Sequence, residues 1–203
     1  MKIICVGRNY RDHAAELNNE VPEQPVIFMK PDSALLQNNM PFFIPPFSQE
    51  IHYEVELVVR IHRIGKHIQP KFAHKYYNQL GLGIDFTARD LQQQLKSKGL
   101  PWEKAKGFDG SALVSSFVST DTFETLDTID FRLEKNGQTV QQGHTKDMLW
   151  GINALIAYIS QYFTLKIGDL IFTGTPAGVG PVVENDLLEG FLGERSMFQL
   201  QVK

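Results

Sequence analysis

Four groups of side chains have the types and spacings to do chemistry. The first lies in Ile51-His52-Tyr53-Glu54-Val55-Glu56-Leu57-Val58-Val59-Arg60-Ile61. Read with a period of two, Ile51, Tyr53, Val55, Leu57, Val59 and Ile61 share one face of a strand, and His52, Glu54, Glu56, Val58 and Arg60 share the other. Glu54 and Glu56 then stand side by side, with Cα atoms roughly 7 Å apart. Carboxylates held that close repel unless a cation sits between them. From this stretch alone the stronger reading is a polar face in water, as on a half-solvated antiparallel strand. Asp85, at the end of the apolar run Leu80-Gly81-Leu82-Gly83-Ile84, supplies a third carboxylate. The three form an oxygen set that suits Mg²⁺, Mn²⁺ or Ca²⁺ rather than zinc or copper, with positions left for water and a chelating substrate. His52 shares the glutamate face and reads as a supporting residue rather than a fourth ligand.

The second group is His13 and Glu16, three apart on a helix-forming stretch and so on one face. As a surface pair they contribute about 0.2–0.5 kcal/mol to the helix. As a functional pair, the carboxylate fixes the imidazole tautomer and favours its protonated form, which suits a general base. The third group is Thr173-Gly174-Thr175-Pro176-Ala177-Gly178-Val179-Gly180, which follows the buried strand Leu170-Ile171-Phe172. It lacks the Gly-Lys-Ser/Thr ending of a P-loop and the spacing of a dinucleotide site. It is either a sharp turn or a place where backbone N–H groups and the Thr175 hydroxyl bind a small carboxylate. The fourth is Lys106, one of several lysines and without signal by itself, although a lysine near a metal can stabilise a developing oxyanion.

The elements that must position these residues are mostly short strands. Residues 2–6 read as a buried strand that runs into the turn Gly7-Arg8-Asn9-Tyr10. Asp12 to Leu17 reads as a helix with Asp12 as N-cap, ending at Asn18-Asn19. A loop without apolar period continues to Pro25. Val26-Ile27-Phe28-Met29 is a strand leading into Lys30-Pro31, and residues 38–50, with Pro41, Pro45 and Pro46, are irregular or edge structure. Thr87-Ala88-Arg89-Asp90 has the capping-box form and predicts a helix to about Lys98, closed by Gly99 with Pro101 beyond. Ile129 to Leu133 alternates, and Asn136-Gly137 is the strongest hairpin signal in the chain. Met148, Leu149, Ile152, Leu155, Ile156 and Ile159 follow a helical period, and Phe198, Leu200 and Val202 alternate in a last strand. Strands outnumber helices and no βαβα rhythm is present, so the expected class is α+β, mainly β, in one domain over residues 1–203.

Composition narrows the function classes. A chain of 203 residues, 42% hydrophobic and 21% charged, can bury a substantial core. A net charge of −3, with no Lys/Arg cluster interleaved with aromatics, argues against a nucleic-acid partner. The single cysteine, Cys5, allows no internal disulfide and fits a reducing compartment; within Ile3-Ile4-Cys5-Val6 it reads as a buried structural thiol. No run approaches a signal-peptide core or a membrane span, so the expected location is the cytoplasm.

With these residues in hand, the chain resembles the short, single-domain members of the fumarylacetoacetate hydrolase superfamily. The resemblance rests on Gly7-Arg8-Asn9-Tyr10 with His13 and Glu16, Phe28-Met29-Lys30-Pro31, Tyr53-Glu54-Val55-Glu56-Leu57 and Asp85-Phe86-Thr87-Ala88-Arg89-Asp90. It continues through Leu100-Pro101-Trp102 to Lys106, Asn136-Gly137 with Gln141, and Thr173-Gly174-Thr175-Pro176 with Gly178-Val179-Gly180-Pro181. The pieces arrive in family order over nearly the whole chain. The resemblance implies a mixed β-sandwich roll with a few peripheral helices, dimeric, with Mg²⁺ or Mn²⁺ (Ca²⁺ as a substitute) on Glu54, Glu56 and Asp85. It assigns water activation to His13 and Glu16, on a lid over about residues 10–25, and oxyanion stabilisation to Lys106. Arg8, Lys30, Arg89, Gln92 and Thr175 match positions near the substrate, a small 2-oxo acid. Lys104 and Gly107 depart from the family pattern around the pocket lining. The implied activity is C–C bond hydrolysis of acylpyruvates (2,4-dioxo acids) with decarboxylation of oxaloacetate, both leaving pyruvate enolate. The alternatives are an isomerase or decarboxylase of unsaturated hydroxy-diacids, of the 2-hydroxyhepta-2,4-diene-1,7-dioate or 5-carboxymethyl-2-hydroxymuconate type, and a metal-binding protein that no longer catalyses.

Overall fold

Short apolar runs bounded by turn residues become strands, and the computed structural model describes residues 1–16, 20–37 and 40–203. Three small strands, β3 (Ile51–Tyr53), β6 (Thr87–Ala88) and β12 (Gly180–Pro181), form one sheet with β3 in the middle. The principal sheet holds β1 (Ile3–Gly7), β2 (Val26–Lys30), β4 (Val55–Ile61), β5 (Tyr77–Asp85), β7 (Ala112–Val114) and β11 (Leu170–Phe172), in the order β2-β1-β11-β4-β5-β7. β8 (Val118–Ser119) also pairs with β5. β1 runs parallel to β11 while the other pairings are antiparallel, so the sheet is mixed. The third sheet joins two antiparallel hairpins, β9 (Asp130–Lys135) with β10 (Gln138–His144) and β13 (Leu187–Leu192) with β14 (Arg195–Gln201), through β9 and β13, in the order β10-β9-β13-β14. Helices are few: α1 (Arg11–Glu16), α2 (Arg89–Ser97), α3 (Glu103–Lys106) and α4 (Ile152–Tyr162). The molecule is mainly β, as its alternating runs predict. Among the described residues no helix is long and apolar enough to cross a membrane.

The principal sheet is buried on both faces. Ile4, Val6, Val55, Leu57, Val59, Ile61, Leu82 and Ile84 point into the larger core, shared with Phe131, Leu133, Leu188 and Leu200 of the four-stranded sheet. Ile3, Cys5, Val58 and Phe172 form a smaller cluster on the opposite face. Cys5 is the buried thiol its neighbours predict. β4 contributes to both clusters, so the face that carries Glu56 and Val58 is an interior surface. The half-solvated reading is corrected here: Glu54 is 5% exposed and Glu56 2%.

Four local expectations also change. The single strand over 51–61 breaks at Glu54, where the chain leaves the small sheet and enters the principal one. Thr87 does not cap α2, whose N-cap is Ala88 without a side-chain bond; the Thr87 hydroxyl donates to Glu54 Oε1 instead. Asp12 lies in the first turn of α1 rather than capping it, and the expected helix end at Asn18-Asn19 lies outside the described residues. Met148 and Leu149 precede α4 rather than starting it. The hairpin forms as expected, with Asn136 at φ 53° and Gly137 at φ 77°, the two positive angles that a tight primed turn requires. Gly83 faces Glu56 across the β4–β5 ladder, and a Cβ there would lie 2.6 Å from the Leu113 carbonyl and 2.8 Å from the Phe172 ring. Only glycine lets β5 pack this closely beside the carboxylates.

Candidate active site

The break at Glu54 is held open by side chains acting as ladder partners. The Val55 N–H donates to Gln141 Oε1 at 2.9 Å, and the Thr175 hydroxyl donates to the Val55 carbonyl at 2.9 Å. Asp85 reaches the same place from β5, its N–H donating to the Glu54 carbonyl at 2.8 Å. Oxygens of Glu54, Glu56 and Asp85, one from each, therefore lie within 4.8 Å of one another, all buried.

Each carboxylate has one oxygen tied to the frame. Glu54 Oε1 accepts from Arg89 Nη2 at 2.5 Å and from the Thr87 hydroxyl at 3.1 Å. Glu56 Oε2 accepts the Gly174 N–H at 2.7 Å. Asp85 Oδ1 is ion-paired with Lys30 Nζ at 2.7 Å, a contact of charge rather than of well-directed hydrogen-bond geometry. Lys106 Nζ then spans Glu54 Oε2 and Asp85 Oδ2, at 2.8 Å from each.

Electrostatics separates the three acids. Burial pushes the Glu54 carboxyl up, but Lys106 and Arg89 outweigh it and hold the group well below the usual range. Glu56 goes the other way: burial first, then Asp85 and Glu54, raise its pKa well above the ordinary value. Among the described residues no cationic side chain forms an ion pair with Glu56. An all-oxygen set of this kind suits a hard divalent cation, which Glu54, Glu56 and Asp85 could hold. Lys106 is kept charged, since Asp85 and Glu54 more than offset the effect of its burial.

His13 and Glu16 come together at the mouth of this cluster. His13 Nδ1 lies 3.2 Å from Glu16 Oε2, and Glu16 Oε1 accepts the Gly178 N–H at 3.0 Å. With Nδ1–H directed at the carboxylate, Nε2 carries the lone pair. The glycine-rich turn thus binds carboxylates, but they are the protein's own: Gly174 holds Glu56 and Gly178 holds Glu16. The Thr175 hydroxyl is spent on Val55 and accepts from Gln141 Nε2 at 2.8 Å, so it offers the cavity only an acceptor.

A cavity of about 110 Å³ joins these groups. Arg8, His13, Glu54, Glu56, Asp85, Arg89, Gln92, Lys106 and Thr175 line it, together with Phe28, Gln93, Lys96 and Trp102. Arg8 sits at φ 59°, a left-handed angle that a non-glycine residue adopts at a cost and that recurs at functional sites. Arg89 acts largely on the protein, holding Glu54, Gln92 Oε1 at 2.6 Å and His52 Nδ1 at 3.4 Å. His52 is no ligand: it stands behind Arg89 with Nε2 on Glu50 at 2.8 Å, and burial, then Arg89, lower its pKa. Lys30 is buried behind Asp85 and is not among the residues that line the cavity. Gln93 and Lys96 join the lining without a motif of their own, through the spacing 89, 92, 93, 96, which is one face of a helix.

Residues 2–202 match the fumarylacetoacetate (FAA) hydrolase C-terminal family. The chain belongs to this family. It is 40% identical over 201 residues to oxaloacetate tautomerase FAHD1, mitochondrial, of Mus musculus, covering 99% of this chain and 91% of that protein. It is 43% identical over 189 residues to the mitochondrial oxaloacetate decarboxylase of Dictyostelium discoideum, covering 93% and 87% of the two chains. A crystal structure of fumarylpyruvate hydrolase from Pseudomonas aeruginosa, in complex with Mn²⁺ and pyruvate, matches with a TM-score of 0.93 at 30% identity, covering 100% of this chain and 89% of that one. These relatives are enzymes, and the acidic triad of this chain could bind a metal ion.

Proposed function

We propose that the protein is a Mg²⁺- or Mn²⁺-dependent enzyme of small 2-oxo acids, hydrolysing acylpyruvates and decarboxylating oxaloacetate. The observation that carries this reading is the convergence, on one small cavity, of three buried carboxylates, Lys106 and a histidine oriented by Glu16. The cavity's 110 Å³ lies well below the roughly 300–1,000 Å³ of sites for drug-sized ligands, which fits a substrate of a few carbons.

For an acylpyruvate, His13 Nε2 takes a proton from water, and the resulting hydroxide adds to the distal carbonyl carbon. Lys106 donates to the oxyanion of the tetrahedral adduct. Collapse of that adduct breaks the bond to C3, releases the carboxylic acid and leaves its electron pair on pyruvate enolate, which His13 reprotonates at C3. For oxaloacetate the same enolate forms by loss of CO₂ and needs no attacking water. A divalent cation held by Glu54, Glu56 and Asp85 would supply Lewis-acid stabilisation of charge on the 2-oxo oxygen. Arg8 and Gln92 offer donors to the substrate carboxylate.

A second reading, tautomerisation of oxaloacetate, is favoured by the mouse relative's name and needs only a base that moves a proton between C3 and the 2-oxygen; His13 can do this too. The single buried thiol fits a reducing compartment, for which we take the cytoplasm; the mitochondrial location belongs to the relatives' names. The test is release of pyruvate from acetylpyruvate and from oxaloacetate by the purified protein, with Mg²⁺ and then with EDTA. We expect release that EDTA reduces to the uncatalysed background. Release indifferent to EDTA, or none from either substrate by metal-loaded protein, would refute the proposal.

A further inference from the structure

Lys30 carries a charge where the cavity does not reach. Its side chain is 0% exposed, and an ammonium in such a place is tolerated only with acceptors around it. Besides its ion pair with Asp85 Oδ1 at 2.7 Å, Nζ has four oxygens to share its three N–H groups: the Ser111 carbonyl and hydroxyl, both at 3.0 Å, the Phe86 carbonyl at 3.4 Å, and the Lys106 carbonyl. The Ser111 hydroxyl in turn donates to the Lys106 carbonyl at 2.9 Å. The end of β2 thus pins together the end of β5, the last residue of α3 and Ser111.

Two parts of the site depend on this knot. Tethering Asp85 Oδ1 leaves Oδ2 as the oxygen turned toward Lys106 Nζ. Tying the Lys106 carbonyl fixes the point from which its side chain sets out for Glu54 and Asp85. We propose that Lys30 is a positioning residue: it aims Asp85 and Lys106, and it sets the affinity of the carboxylate cluster for a divalent cation without meeting substrate. The proposal rests on the metal-dependent reading above, and its test is a binding measurement that needs no turnover.

The sign of the effect separates positioning from plain charge. Lys30→Met removes a positive charge beside the carboxylates, so Coulomb's law alone makes a cation bind more tightly. Loss of aim does the opposite, and removing partners that orient metal-binding groups typically costs about 10–100-fold in affinity. We expect Mn²⁺ affinity of Lys30→Met, by titration calorimetry, to fall at least about tenfold. Unchanged or tighter binding by the folded variant overturns the proposal. If Lys30→Met does not fold, Ser111→Ala decides, because it keeps the charge and removes one tether: weaker Mn²⁺ binding supports positioning and unchanged binding overturns it. Wild-type protein that binds no Mn²⁺ overturns the metal reading itself, and this inference with it.

Discussion

Glu54→Ala should reduce turnover of both acetylpyruvate and oxaloacetate by about 10³-fold or more, equivalent to roughly 4 kcal/mol of transition-state stabilisation. The size follows from Glu54's position at the junction of the two sheets. One of its oxygens holds Arg89 and Thr87, and the other shares Lys106 with Asp85. Truncation cuts the oxygen set from three to two and leaves the buried Arg89 and Lys106 each short of a counter-ion. Breaking a buried pair in this way costs about 3–5 kcal/mol of stability, so a lower melting temperature should accompany the loss. Glu54→Gln keeps the shape and hydrogen-bonding oxygen while removing the charge, and it should still lose most activity. Steady-state kinetics with circular dichroism as a fold check measures both; a folded Glu54→Ala enzyme with a tenth or more of wild-type activity would contradict this role.

His13→Ala should separate the two reactions. Hydrolysis needs a base to take a proton from water, and a positioned base contributes about 10²–10⁴-fold. Decarboxylation of oxaloacetate breaks its C–C bond without an attacking water, so it should fall much less. Among the described residues the imidazole is hydrogen-bonded to Glu16, and Glu16 to the Gly178 N–H, so the substitution leaves the ion pairs of the carboxylate cluster intact. Parallel assays of pyruvate release from the two substrates give the answer. Equal loss on both would remove His13 from water activation and favour a role in proton movement at C3, as tautomerisation needs.

Local rules carried much of the fold. The alternation of β4 and β9, the Asn136-Gly137 turn and the helical period of α4 are decided by residues next to one another, and each appears in the structure. What short-range pattern could not decide was which face is wet. Glu54 and Glu56 look like solvated residues until Lys106, Arg89 and the turn after β11 cover them, and Thr175 bonds Val55 across 120 positions. The failed capping box has the same origin: Thr87 fits a helix start by sequence, but a buried glutamate makes the stronger claim on its hydroxyl. Lys30 was legible only as a neighbour of the site; its partner, Asp85, comes from a strand 55 positions further along the chain, which no local pattern shows.

If the protein is metal-dependent as proposed, Glu54, Glu56 and Asp85 hold one divalent cation. Glu56 offers the cleanest probe, because it takes part in no ion pair among the described residues and its replacement leaves Arg89, Lys30 and Lys106 with their partners. Titration of Mn²⁺ into wild-type protein and into Glu56→Gln, by calorimetry, is the direct measurement. We expect one ion per chain for the wild type and at least about a hundredfold weaker binding for the variant. Equal affinity in the two proteins would contradict this expectation.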